Sequence, residues 1–326
     1  MKFASYKSGR DGQLHIVSRN LKRAFRITDI APSLRECLDN WETLLPDLQE
    51  RHQRINAAGQ VDNAKRFHTP SCSAPLPRAT QWLDGSAYVN HVELARKTRG
   101  VPMPDSFWTD PLMYQGGSDN LLGPCDPITA NPDWGVDFEA ELAIITDDVP
   151  MGCSKEEAHQ HIMLVTLCND ISLRNLIPDE LGKGFGFVQS KPPSSFGPVA
   201  VTPDELGDYW QEGKLSLPMQ VYLNDRPFGH PDCAVDMTFN FHELIAHAAK
   251  TRPLGRGTII GSGTVSNKDK STGSCCLVEQ RMLEIIANGQ PQTPYLKPGD
   301  RVRIEITTPD GQSLFGAIEQ TFAGNH

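Results

Sequence analysis

Between Val136 and Ile145 the chain reads Val-Asp-Phe-Glu-Ala-Glu-Leu-Ala-Ile-Ile, a largely apolar run that carries Glu139 and Glu141 two residues apart. Side chains alternate along a β-strand, so Phe138, Ala140 and Leu142 are predicted to enter a core while the two glutamates project into a common space. A strand with one face in water gives the same alternation. Neighbouring carboxylates repel, however, and a divalent cation with oxygen ligands is the simplest relief, so the pair is a lead toward a metal site.

The rest of the sequence limits the alternatives. Its 326 residues, 38% hydrophobic, can bury a sizeable core and suggest one large domain plus a smaller one. The 31 basic against 40 acidic residues give a net charge of −9, without a Lys/Arg cluster interleaved with aromatics, so nucleic acid is not an expected partner. No apolar run approaches the roughly 18 residues that span a bilayer, and Met1 to Tyr6 lacks the pattern of a signal peptide. A cytoplasmic protein without membrane contact is expected. The eight cysteines show no C-x-x-C spacing, which disfavours structural zinc, and Cys275-Cys276 reads as a pair of buried thiols beside a strand.

Patterning divides the chain into an N-terminal unit, residues 1–75, and a main domain, 76–326. Residues 3–28 read as short strands broken at Gly9-Arg10-Asp11-Gly12, and 33–57 as helical, with Leu34, Cys37, Leu38, Trp41, Leu44 and Leu45 on a helical period. The segment from Ala58 to Pro77 suits a linker. Ser154-Lys155-Glu156-Glu157 matches a capping box, which predicts a helix carrying Ala158, Ile162 and Val165 up to Cys168 and delivering Asn169-Asp170. His159 and His161, two apart within it, read as surface or boundary residues. The glycine-rich stretches 182–186 and 261–263 lack the strand-loop-helix context of a phosphate cradle. Strands are predicted over 215–223, 278–286, 301–307 and 313–320, with a helix at about 241–250. The class is α+β, mostly β.

The Asp-Phe-Glu-x-Glu-Leu-Ala strand, together with Asn169-Asp170-Ile171-Ser172-Leu173-Arg174, resembles the fumarylacetoacetate hydrolase family, over about residues 80–322. The resemblance implies a mixed β-roll catalytic domain and, in the longer fumarylacetoacetase branch, a small SH3-like N-terminal domain. It implies a Mg²⁺ or Ca²⁺ ion held by Asp84, Glu139, Glu141 and Asp170, although Asp84 in Asp-Gly-Ser reads by itself as a turn residue. His91, seven residues after Asp84, takes the family's water-activating position, and Glu279, after Ser262 to Ser266, is the candidate glutamate partner. Arg174 stands where a cation steadies substrate charge. Tyr114 and Thr264 match substrate-contacting positions, and Ile177 replaces a glutamine of many fumarylacetoacetases. Two lysines compete for the catalytic position, Lys183 and Lys191, and the spacing from Asp170 with the following Phe196-Gly197-Pro198 suits Lys191 better.

What the resemblance implies overall is a homodimeric, metal-dependent hydrolase of a carbon-carbon bond in a β-diketo acid, fumarylacetoacetate first. Acylpyruvate or fumarylpyruvate hydrolysis and oxaloacetate-type decarboxylation remain alternatives on the same platform, and a non-catalytic metal- or ligand-binding module is the alternative from another class.

Overall fold

The computed structural model describes residues 1–57 and 63–324. An 11-stranded mixed sheet dominates it. Its path uses β1 (Lys2–Tyr6), β2 (Gln13–Val17), β3 (Arg23–Arg26), β4 (Lys65–Arg66), β5 (Gln81–Gly85), β6 (Met113–Gly116), β7 (Ala140–Thr146), β8 (Ile162–Asn169), β9 (Ala200–Val201) and β10 (Thr258–Gly261). The spatial order is β4-β3-β2-β1-β9-β8-β7-β10-β5-β6, with Ser195–Phe196 adding to β8 off this path. Strands β10 and β5 run parallel; the neighbouring pairings of β7 with β8 and with β10 are antiparallel. The N-terminal strands therefore continue the main sheet, joined to it where Lys2 and Phe3 of β1 oppose Val201 and Ala200 of β9.

Both faces of the sheet are covered. Leu142 and Ile144 of β7 enter one hydrophobic cluster, and Ala143 and Ile145 enter the other. Full burial of a Leu or Ile side chain contributes about 1.5–3 kcal/mol, so these alternating residues hold β7, and the glutamate on it, in one register. A four-stranded sheet in the order Arg226–Gly229, Gln220–Leu223, Arg301–Glu305, Ile318–Thr321 packs nearby. The helices are α1 (Leu34–Asp39), α2 (Trp41–Asn56), α3 (Val89–Thr98), α4 (Ile177–Gly182), α5 (Phe241–Ala248) and α6 (Leu277–Asn288). No helix among the described residues is long and apolar enough to cross a membrane.

Three local expectations are corrected. The Ser154–Glu157 capping bonds form, with each backbone N–H meeting the other side chain, but they close only a turn. A short 3-10 turn follows at Ala158–His161, and Ile162–Asn169 is strand β8. Its residues are apolar on both faces, and pairing with β7 on one side and β9 on the other outweighs the helical start signal. Residues 278–286, predicted as a strand, lie in α6. Val278, Met282 and Ile285 share one helical face among good helix formers, and Gly289 at φ 80° closes the helix in the left-handed conformation that glycine tolerates. The linker expected over 58–77 is structured where described: Lys65–Arg66 pairs with β3 and Cys72 bridges to Tyr6, while residues 58–62 lie outside the described residues.

Candidate active site and metal centre

Four neighbouring strands bring the acidic residues together. Asp84 sits within β5, not in a turn, opposite Gly261 of β10, which in turn faces Ala143 of β7. Glu141 lies two residues before Ala143, and Asp170 directly follows β8. Carboxylate oxygens of Asp84, Glu141 and Asp170 all lie within 4.8 Å of one another. Asp84 is 7% exposed and the other two 0%, which excludes a solvated acidic face. A β-carbon at Gly261 would collide with Asp84 Oδ1 and stand 3.0 Å from Glu141 Oε2. That glycine keeps the space between the carboxylates open.

The donor chemistry suits a hard divalent cation. Both oxygens of Glu141 are buried without a hydrogen-bond partner. Burial, reinforced by Asp170, pushes the Asp84 carboxyl up to about 8, and burial with Asp84 and Asp170 beside it holds Glu141 well above the usual carboxylate range. Three oxygen donors whose charges oppose one another until a cation joins them fit Mg²⁺, Mn²⁺ or Ca²⁺ better than zinc. Glu139, the fourth expected ligand, lies outside this trio. Its Oε1 accepts from Arg174 Nη2 at 2.7 Å and its Oε2 from Lys191 Nζ at 2.6 Å. Burial alone would raise Glu139, but Arg174 and Lys191 outweigh it and hold the group ionised.

These shifts predict how stability follows pH. Folded carboxyls with raised pKa keep protons that the unfolded chain has released, so metal-free stability falls as pH rises from about 4 through about 8. An ion replaces those protons, and its advantage grows over the same window. Thermal melts with EDTA or with saturating Mn²⁺ should diverge as pH rises. At a hundred times its Kd the ion adds about 2.7 kcal/mol. A gap that stays flat or narrows between about pH 5 and 8 would remove this trio as the ion's ligands.

Beside the trio stands a histidine-glutamate pair. His91 is the third residue of α3, and its Nδ1 is 2.6 Å from Glu279 Oε2 in the first turn of α6. Ser266 donates to the other Glu279 oxygen at 2.9 Å and Lys270 lies 3.5 Å from it. Burial would raise Glu279, but the His91 hydrogen bond, with Lys270 and Ser266, holds it below its ordinary value. A carboxylate on Nδ1 fixes the proton there and leaves Nε2 as the basic nitrogen. The two residues, far apart in sequence, meet because α3 and α6 pack together.

Lys191 donates to both Glu139 and Asp170, and Tyr114 donates to Asp170 at 2.7 Å with its ring 5.2 Å from the lysine nitrogen. Lys183, the competing lysine, is exposed at the end of α4. Thr264 carries a buried hydroxyl with no partner. A cavity of about 240 Å³ is bounded by Asp84, His91, Tyr114, Glu139, Arg174, Lys191 and Thr264. Larger depressions of about 610 and 960 Å³ lie along α2, but among the described residues neither gathers a group able to share an ion.

Two supporting residues had no assigned role from sequence. Asp137 accepts from the Leu277 and Val278 N–H groups at 2.7 and 3.0 Å and from Arg174 Nε at 2.8 Å, so it caps α6 and aims the arginine together. Its place inside the Asp-Phe-Glu strand was the available signal. Ser194 donates to Asp170 at 2.6 Å, and no sequence feature distinguished it from its neighbour. Cys275 and Cys276 are buried beside β7, where the Cys275 carbonyl accepts from Ala140 and Cys276 bridges to Glu139.

Residues 80–323 match the family model of the fumarylacetoacetate (FAA) hydrolase C-terminal domain, and residues 1–78 match fumarylacetoacetase N-terminal domain 2. The chain is 23% identical over 291 residues to oxaloacetate tautomerase YisK of Bacillus subtilis strain 168, a match covering 87% of this chain and 86% of that one. It is 26% identical over 211 residues to 2,4-didehydro-3-deoxy-L-rhamnonate hydrolase of Sphingomonas sp. strain SKA58, covering 63% of each. The fold is shared with maleylpyruvate hydrolase from Sphingobium sp. SYK-6, solved with manganese(II) and pyruvate, at a TM-score of 0.66 over 100% of both chains and 18% identity. With one model spanning the whole catalytic region and a second the N-terminal unit, the chain belongs to the fumarylacetoacetate hydrolase family.

Proposed function

We propose that this protein hydrolyses a carbon-carbon bond in a β-diketo acid, a class that includes fumarylacetoacetate and the acylpyruvates, with a divalent cation held by Asp84, Glu141 and Asp170. The observation that carries the reading is that His91, held by Glu279, lines the same cavity as Asp84 of the acidic trio. When bound, the cation supplies a Lewis acid for the dioxo oxygens and for the enolate released on scission. The chain's own groups do the rest. His91 Nε2 takes a proton from water as the water attacks the carbonyl, Glu279 stabilises the imidazolium that forms, and that proton passes to the carbon of the departing enolate when the carbon-carbon bond breaks. Lys191 and Arg174, both positively charged at the cavity wall, face the developing oxyanion, and the free Thr264 hydroxyl is available to a substrate oxygen.

The test follows ultraviolet absorbance of fumarylacetoacetate and of acylpyruvates with Mg²⁺ or Mn²⁺ and again with EDTA. Ion-dependent loss of the dioxo chromophore with release of two acids is the expected result; absorbance that stays constant for every substrate would overturn the reading. A second reading is favoured by the match to an oxaloacetate tautomerase, which spans most of both chains. The same His91 nitrogen could move a proton on and off a carbon next to a carbonyl without cleaving a bond. Ion-dependent keto-enol equilibration of oxaloacetate, without scission of any diketo acid, would favour it.

A further inference from the structure

A second cavity, of about 270 Å³, adjoins the polar one. His91, Arg99, Arg174 and Ile177 line both. Beyond that shared wall the chemistry changes. Ala95 of α3, Pro178 of α4 and Val278, Met282 and Ile285 of α6 supply apolar surface, because α6 turns the face with i, i+4, i+7 spacing toward it.

Most polar groups of this annex already have partners within the chain. Arg174 is engaged by Asp137 and Glu139, and His91 Nδ1 by Glu279. The Thr98 hydroxyl donates to the Ala95 carbonyl at 3.0 Å. Arg281 donates to the Thr293 carbonyl and lies 4.2 Å from the Tyr295 ring centroid. Arg99 remains, exposed where α3 ends. A carboxylate entering the annex would exchange its hydration for the solvent-screened guanidinium of Arg99 and that of Arg281, already held by the Thr293 carbonyl and the Tyr295 ring, whereas an alkyl or aryl group would gain by leaving water.

We infer that the annex receives an apolar acyl tail, so that the substrate is a diketo acid whose acyl group is uncharged alkyl or aryl and not one ending in a second carboxylate. This rests on the diketo-acid reading above. Ile177 marks the junction: it has no hydrogen-bonding side-chain group and lies where the tail passes from the polar cavity to the apolar one.

The test measures kcat/KM with Mn²⁺ for acetylpyruvate, butanoylpyruvate, hexanoylpyruvate and fumarylpyruvate. Each methylene buried in the annex should raise kcat/KM about fourfold. Hexanoylpyruvate should exceed fumarylpyruvate by about tenfold or more. Ile285→Asp should lower the hexanoyl-to-acetyl ratio by about tenfold, with acetylpyruvate turnover in the same variant reporting that it folds. If that variant fails to fold, the wild-type series decides alone. Equal rates along the alkyl series, or a preference for fumarylpyruvate, would overturn the inference and leave the diketo-acid reading standing. No ion-dependent turnover of any of the four would overturn both.

Discussion

Replacing His91 with alanine is expected to lower kcat on a diketo acid by about 10²–10⁴-fold, the usual contribution of a positioned general base. The carboxylates of Asp84, Glu141 and Asp170 are untouched by the change, so the ion-dependent rise in melting temperature should persist. That separation matters because a fold-wide defect would remove both. Glu279→Gln keeps the side-chain shape but removes the charge that opposes the imidazolium, and should fall between wild type and His91→Ala. Turnover by His91→Ala within about threefold of wild type would take this residue out of the chemistry. Loss of the ion's stabilising effect in the same variant would instead assign the ion to a second cluster, His91, Glu139 and Cys276, whose ligand atoms lie within 4.8 Å of one another.

The largest stability loss is expected at Asp137. It is fully buried, and alanine there would strip the acceptor from two N–H groups at the start of α6 and leave Arg174 with only Glu139. Breaking a buried charge pair by removing one partner costs roughly 3–5 kcal/mol. The lost cap adds about 1 kcal/mol. Equilibrium denaturation of Asp137→Ala, with Asp137→Asn as a shape-preserving control, measures this. Because α6 also carries Glu279, kcat should fall further than folding alone explains under conditions where both proteins are fully native. A stability change below about 1 kcal/mol would mean that Asp137 does not anchor the helix.

How much of this was legible before the structure depends on the range of the signal. The Glu139/Glu141 strand was readable because a period of two inside an apolar run is local evidence. Phe138, Ala140 and Leu142 do enter one core while Ala143 and Ile145 enter the other. The region after Ser154 misled because its capping box is equally local and forms, yet β8 gains more by pairing on both edges than by winding into a helix. Residues 278–286 misled for the opposite reason. A short apolar stretch is ambiguous between strand and helix, and the cap that starts α6 comes from Asp137, distant in sequence. The meeting of His91 with Glu279 rests on packing of α3 against α6, which no spacing rule encodes, and family resemblance alone pointed to it. The continuity of the N-terminal strands with the main sheet, through β1 and β9, left no sequence trace.

The acidic trio is mounted on or directly after strands of one sheet, so its dimensions are inherited from the roughly 4.8 Å rung spacing of a hydrogen-bonded ladder and not from adjustable loops. Ile177, Met282 and Ile285 belong to helices outside that ladder. Ion binding and selectivity thus have separate mechanical supports, whereas Glu279 shares α6 with Met282 and Ile285. Substitutions at Ile177, Met282 and Ile285 can retune which molecules are accepted without disturbing the spacing of the acidic trio.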